Sequence, residues 1–428
     1  MDHRPYLGSY RRNPRRRTDQ VLHEKSELLE RFTSYLNQKG FYFKDKEIEA
    51  FIDSILTKPF VILTGNSGSG KTKLAKLFAN WLNLEDENAP SRYSIVPVGA
   101  DWTDNRNVIG FVNHLKTEDS SDNGRPVFQG TPILDLILKA RKDPLRPYFL
   151  VLDEMNLSHV ERYFSDFLSA MESQEYIPVH EENTKLQTSS GFEVPPYVPY
   201  PQNLYVIGTV NIDETTYMFS PKVLDRANVL EFRLQEEDLN NYFQQPQKGT
   251  STADEDEKPP FAMPQSFQDL SMQAREIGPE TLQDPPDIEK IHETLKNLFS
   301  VLKKSGFEFA YRTVDEVLRY ARVSYAILPE DQEWDWYKIM DMQILQKILP
   351  KLHGSRRRLE TTLIALIKLC EQNELHKALQ LFERNSAQLD DFEENLSSEK
   401  QFYFPASRLK LVQMVNALRR DQFVSFIQ

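Results

Sequence analysis

Five short apolar runs punctuate the chain, each followed by glycine or by polar residues. They are Pro59-Phe60-Val61-Ile62-Leu63, Tyr93-Ser94-Ile95-Val96-Pro97-Val98, Tyr148-Phe149-Leu150-Val151-Leu152, Leu204-Tyr205-Val206-Ile207-Gly208-Thr209-Val210 and Asn228-Val229-Leu230-Glu231-Phe232. Runs this short and this continuous read as strands covered on both faces. Between them apolar residues recur at helical spacing, as in Leu74, Leu77, Phe78 and Trp81, and again in Val160, Tyr163, Phe164, Phe167, Leu168 and Met171. Alternation of buried strands with amphipathic helices predicts an α/β core: a parallel five-stranded sheet with flanking helices.

The same pattern divides the rest of the chain. Residues 1–18 are a basic arm with Arg4, Arg11, Arg12, Arg15, Arg16 and Arg17, read either as a solvated tail or as a contact for nucleic acid or an acidic partner. Residues 19–57 hold two helices, the first ended by Gly40 and the second opened by Asp45. The trio Phe41-Tyr42-Phe43 lies between them; Tyr42 is a candidate for stacking on a base, with core packing as the alternative. The α/β core spans 58–235 and includes a hairpin-like insertion from Ile177 to Pro201. Residues 236–287, proline-bearing and carrying the acidic run Asp254-Glu255-Asp256-Glu257, are expected to be a linker. Residues 288–428 are expected to form an α-helical lid, where Arg356-Arg357-Arg358 is either a solvated helix start or an anion contact.

Chemistry enters at the strand ends. The first strand runs into Gly65-Asn66-Ser67-Gly68-Ser69-Gly70-Lys71-Thr72 and then into a helix. That order makes the G-x4-G-K-[ST] pattern a P-loop rather than a plain glycine turn: backbone amides cradle phosphates, Lys71 reaches the β- and γ-phosphates, and the Thr72 hydroxyl holds Mg²⁺. The third strand ends in Asp153-Glu154. Asp153 is expected to orient the metal and Glu154 to polarise the attacking water. The fourth strand ends at Asn211, placed to bond the γ-phosphate or that water. Arg226, just before the fifth strand, is a candidate arginine finger for a neighbouring subunit's nucleotide, with a surface salt bridge as the alternative. Arg312 opens a lid helix and is expected to reach the nucleotide of its own subunit. The polar Asp101-Trp102 loop lies at the carboxyl end of the second strand, where open α/β sheets bind ligands.

Composition narrows the class. A formal charge of −12 excludes nucleic-acid binding by bulk electrostatics and leaves only a local basic surface. One cysteine, Cys370, excludes an internal disulfide framework and fits a reducing compartment. With no bilayer-length apolar run and no export signal at its start, the chain is expected to be cytoplasmic.

The motif set resembles the AAA+ family, and within it the McrB-like motor subunits of modification-dependent (type IV) restriction systems. The likeness rests on Pro97-Val98-Gly99-Ala100-Asp101-Trp102-Thr103-Asp104 with Ile109-Gly110, on Leu152-Asp153-Glu154-Met155-Asn156-Leu157, on Gly208-Thr209-Val210-Asn211, and on the lid-like Ile348-Leu349-Pro350-Lys351-Leu352-His353-Gly354-Ser355-Arg356. It implies an AAA+ P-loop NTPase core followed by an α-helical lid, with ATP or GTP as substrate and Mg²⁺ as cofactor. It also implies a homo-oligomeric ring, expected to be a hexamer, and a separate McrC-like nuclease subunit, with DNA reached through the complex. The chain itself is not expected to be a nuclease. At the sensor strand the family's Met-Asn-x-x-Asp-Arg reads Val210-Asn211-Ile212-Asp213-Glu214 here, so the acidic and basic pair is not carried over. About forty residues precede the motor, fewer than a DNA-reading domain needs. The alternative from another class is a MoxR-like AAA+ chaperone that remodels a protein partner.

Overall fold

The computed structural model describes residues 27–83, 91–117, 126–173, 175–182, 186–188, 190–212, 217–234, 238, 240, 264–276, 284–326, 333–383 and 402–427. The arm at 1–18 and the acidic run at 254–257 lie outside them.

All five apolar runs are strands of one parallel sheet. In chain order they are β1 (Phe60–Gly65), β2 (Tyr93–Pro97), β5 (Tyr148–Asp153), β10 (Leu204–Asn211) and β11 (Asn228–Phe232), arranged β11-β1-β10-β5-β2. Side chains alternate between faces, as a strand's two-residue period requires. Phe60, Ile62, Leu150, Leu152 and Val206 enter one core, while Val61, Leu63, Phe149, Val151, Tyr205 and Ile207 enter the other. This is why the sequence shows no polar alternation there.

The second core is closed by the 27–38, Asp45–Thr57 and Lys71–Trp81 helices. It is also closed by Pro264–Glu276, a helix inside the stretch expected to be linker. Phe267 lies with ring centroids 5.5 Å from Phe78 and 5.2 Å from Tyr205, and the Tyr205 hydroxyl donates to Gln268 Oε1 at 2.9 Å. Burying that one phenyl ring stabilises the sheet face by about 2–3 kcal/mol. The linker expectation at 236–287 is therefore corrected over 264–276. Only four apolar side chains interrupt its polar sequence, so the composition hid the helix.

Two antiparallel hairpins stand on the other side. One pairs β3 (Gly110–Thr117) with β4 (Pro126–Gly130). The second is the expected insertion: β6 (Tyr176–Pro178) pairs β9 (Tyr197–Pro199), and β7 (Leu186–Gln187) pairs β8 (Glu193–Val194). The first hairpin has no counterpart among the elements expected from the sequence.

The C-terminal part is helical: Ile288–Lys303, Tyr311–Ala326, Trp336–Gln343, Arg356–Gln372 and Pro405–Asp421, with β12 (His353–Ser355) paired to β13 (Phe423–Ser425). A buried ionic cluster joins it to the α/β core. Lys58, which precedes β1, donates to Glu316 Oε1 at 2.6 Å and to the Asp225 carbonyl at 2.8 Å. Lys347 lies 2.6 Å from Glu316 Oε2 and donates to the Ala227 carbonyl at 3.0 Å. Lys351 lies 2.5 Å from Asp225 Oδ1. Burial alone would raise the Glu316 carboxyl, but the charges and hydrogen bonds of Lys58 and Lys347 outweigh it and hold it down at about 2.

Candidate active site

Strand register builds the site. Gly65 at the end of β1 lies opposite Asn211 at the end of β10. Gly208 lies opposite Leu152 on β5, which brings Thr209 beside Asp153. The carboxyl ends of three parallel strands thus converge on one edge, where this architecture places ligands.

The P-loop leaves β1 through Gly65, at φ 152°, where a Cβ would stand 2.2 Å from the Phe232 carbonyl oxygen. No other residue fits that approach. Asn66, Ser67 and Gly68 are exposed, Ser69 and Gly70 half-buried, and the helix starts at Lys71 behind Gly70 at φ 91°. Lys71 is buried and folded back into the loop, donating to the Gly65 and Asn66 carbonyls at 2.8 and 2.7 Å and to Ser69 Oγ at 3.2 Å. The exposed loop amides and this ammonium offer an anion site at the N-terminus of an eleven-residue helix.

Asp153 is the hub. Its Oδ1 accepts from the Thr72 and Thr209 hydroxyls, both at 2.6 Å. Glu154 follows in the left-handed region at φ 53°, rare for a glutamate and a form of strain that clusters at functional sites. Its N–H donates to Thr209 Oγ1 at 3.0 Å, and its Oε1 accepts from Asn211 Nδ2 at 3.1 Å. The structure thus brings Thr72, Asp153, Glu154 and Asn211 together. Thr209, which stitches them, was not singled out from the sequence. Its trace there was the two-residue spacing to Asn211, which puts both side chains on one side of the strand.

The oxygen set fits Mg²⁺. A hydroxyl and a carboxylate are hard donors, and this ion is held by one or two such protein groups plus phosphate and water. Among the described residues no three His, Cys, Asp or Glu side chains gather to hold a metal. A closed all-protein cage is not what this site offers.

The two arginines fall elsewhere. Arg226 donates from Nε to the Leu168 carbonyl at 2.7 Å, from one terminal nitrogen to the Lys222 carbonyl at 2.9 Å, and from the other to Glu172 Oε2. Arg312 pairs with the other oxygen of the same carboxylate. Arg312, expected to reach its own subunit's nucleotide, thus stands beside Arg226. Trp102 is buried edge-on against Tyr163 at 5.3 Å, with Ser158 Oγ donating to its carbonyl at 2.6 Å, so it anchors its loop instead of facing a ligand. Tyr42 is 45% exposed, whereas Phe43 lies against Gly70 and packs on Phe232 at 6.5 Å. Of the basic triplet, Arg356 pairs with Glu360 and Arg358 covers the Phe307 ring, at a helix start.

Comparison with known proteins agrees with this geometry. Residues 60–227 match the AAA domain (dynein-related subfamily), and residues 265–423 match a domain of unknown function, DUF8727. The type IV methyl-directed restriction enzyme EcoKMcrB subunit of Escherichia coli (strain K12) is 27% identical over 177 residues, covering 40% of this chain and 34% of that protein. The chain thus matches about a third of the length of that relative. A solved structure of a candidate ATPase from Cytophaga hutchinsonii ATCC 33406 is 12% identical, covers 79% of this chain and 89% of that one, and has a TM-score of 0.48, which adds nothing to the assignment. The P-loop, the Asp153 hub and the strand order, together with the domain match at 60–227, identify that part of the chain as an AAA+ P-loop NTPase core.

Proposed function

We propose that this chain is the nucleotide-hydrolysing motor of a homo-oligomeric ring, expected to be a hexamer, that drives a separate McrC-like nuclease on DNA in an anti-phage restriction system. The observation that carries hydrolysis is the hydrogen-bonded chain Thr72–Asp153–Thr209–Glu154–Asn211 at the mouth of the P-loop. The partial likeness to the McrB subunit supports the partner.

In this reading Lys71 exchanges its loop carbonyls for the β- and γ-phosphates. Thr72 and Asp153 would hold Mg²⁺, which would neutralise phosphate charge. Glu154 aligns the attacking water and takes up its proton, while Asn211 fixes the direction of its carboxylate and Thr209 holds its backbone N–H and the Asp153 carboxylate. ATP is the favoured substrate on the habit of the fold, with GTP next. A partner whose insertion into the ring orders the Asn211 and Glu154 region raises the hydrolysis rate.

The same carboxylates cannot also grip a phosphodiester, because the nucleotide fills the space before them. Cleavage is assigned to the partner, and DNA is reached through the complex. The test is purification of the chain with the products of neighbouring genes, followed by nuclease assay on modified and unmodified DNA with Mg²⁺ and ATP or GTP. Nucleotide-dependent cleavage only when a nuclease partner is present supports the proposal. Cleavage by the chain alone, lost in a mutant of this chain, overturns it. A non-nuclease client remodelled in an NTP-dependent way favours the MoxR-like chaperone.

A further inference from the structure

We infer that Glu172 is a stand-in anion: in the free subunit it occupies the Arg226–Arg312 pair, and the triphosphate of a neighbouring copy displaces it. The inference rests on the ring NTPase reading and adds the device that makes hydrolysis depend on assembly.

Four observations carry it. Both oxygens of Glu172 are taken by arginines from two different parts of the chain, Arg226 before β11 and Arg312 at the start of the Tyr311–Ala326 helix. A carboxylate spanning two guanidinium forks occupies the place that a phosphate's oxygens fill equally well.

The arginines are held from behind. Asp225, next to Arg226, and Glu316, one helical turn after Arg312, are both clamped by the Lys58, Lys347 and Lys351 cluster. Arg226 is further fixed by the Leu168 and Lys222 carbonyls. The pair therefore persists as a unit when its anion changes.

Glu172 sits on a separate element, Ser165–Ser173, the third after the strand that ends at Asp153. Among the described residues these two arginines are its ionic partners. Its side chain is 33% exposed and that of Arg312 is 42% exposed. Ion pairs this wet contribute little, so a multiply charged phosphate can displace the carboxylate.

The surrounding face is open. Pro221, Lys222, Ala310 and Tyr311 are exposed, and Tyr311 is 88% exposed, a bare aromatic beside the charged pair. Among the described residues the face carries what an interface uses at its centre, arginine and tyrosine.

The experiment measures hydrolysis per subunit against subunit concentration for wild type, Glu172→Gln, Glu172→Asp and Arg226→Ala. Glu172→Gln removes the competing charge, so the concentration giving half-maximal specific activity is expected to fall by about three- to tenfold, the range that two weak ion pairs allow. Glu172→Asp keeps the charge and is expected to stay within about twofold of wild type. Unchanged thermal unfolding of both variants shows that they fold.

A half-maximal concentration that does not move in Glu172→Gln, while wild-type activity depends on concentration and Arg226→Ala is inactive, overturns the role of Glu172 and leaves the shared site standing. Loss of saturating turnover in Glu172→Gln with the midpoint unmoved also overturns it, since the residue would then position the arginines rather than mask them. Wild-type activity independent of dilution, with Arg226→Ala fully active, overturns the ring reading itself and this inference with it.

Discussion

Replacing Glu316 by Gln tests the clamp between the α/β core and the helical part. Glutamine keeps the shape and removes the charge, much as a proton would. The carboxyl is held at about 2 against an ordinary 4.5. At about 1.4 kcal/mol for each tenfold change in the proton equilibrium, this corresponds to roughly 3 kcal/mol favouring the ionised form in the folded state. The Glu316 side chain is 25% exposed, so solvent screening reduces the expected cost of Glu316→Gln to about 2 kcal/mol at pH 7. The sign with pH follows from the depressed value. The stabilisation is fully present above about 4.5 and is lost as pH falls toward 2. Wild type then protonates and comes to resemble the variant. The gap between the two should stay constant from pH 7 to 5 and narrow by about 1 kcal/mol by pH 3.5, a slope of one proton. Urea unfolding read through tryptophan fluorescence measures it, with Trp81 and Trp102 reporting the core and Trp334 and Trp336 the helical part. Local opening at this junction would separate the two sets of probes, so hydrogen exchange over Tyr311–Ala326 should accompany it. Equal midpoints at pH 7 would refute the reasoning. So would a gap that ignores pH, since the loss would then lie in packing and not in charge.

The remaining expectations concern the site. Lys71→Ala should abolish nucleotide binding in a fluorescent-nucleotide titration, while Glu154→Gln should bind normally and stop turning over; wild-type turnover in the latter would remove Glu154 as the water-activating base. Thr209→Val should lose two hydrogen bonds, its donation to the Asp153 carboxylate, worth about 1.5–3 kcal/mol, and its acceptance from the Glu154 N–H, and lower kcat by tenfold or more with nucleotide affinity little changed; an unchanged kcat would show that neither Asp153 nor Glu154 needs this hydroxyl. Arg226→Ala should lower turnover by on the order of 10³-fold, and mixing it with Glu154→Gln should restore part of the activity through interfaces that pair one intact finger with one intact base. Absence of any recovery in assembled mixtures would count against a site shared between subunits.

The sequence by itself determined what is local. Continuous apolar runs marked all five sheet strands, because a strand covered on both faces can carry few polar side chains. Asp153, Glu154 and Asn211 were legible because each stands where a strand ends, and Lys71 and Thr72 because they open the helix behind the glycine loop, positions set by a few neighbouring residues. Tertiary structure decided what depends on separation along the chain. Thr209 joins Asp153 across 56 positions through strand register, and no local pattern encodes register between strands so far apart. Glu316 meets Lys58 across 258 positions, in an ion pair that exists only once the helical part has docked. The Pro264–Glu276 helix hid in a polar, proline-bearing stretch because its stability comes from Phe267 and Leu270 entering a finished sheet face, not from its own propensity. Arg226 and Arg312 could be picked out singly for their charge. That they share Glu172 was beyond the sequence, since three elements from different parts of the chain must converge before one carboxylate can hold both.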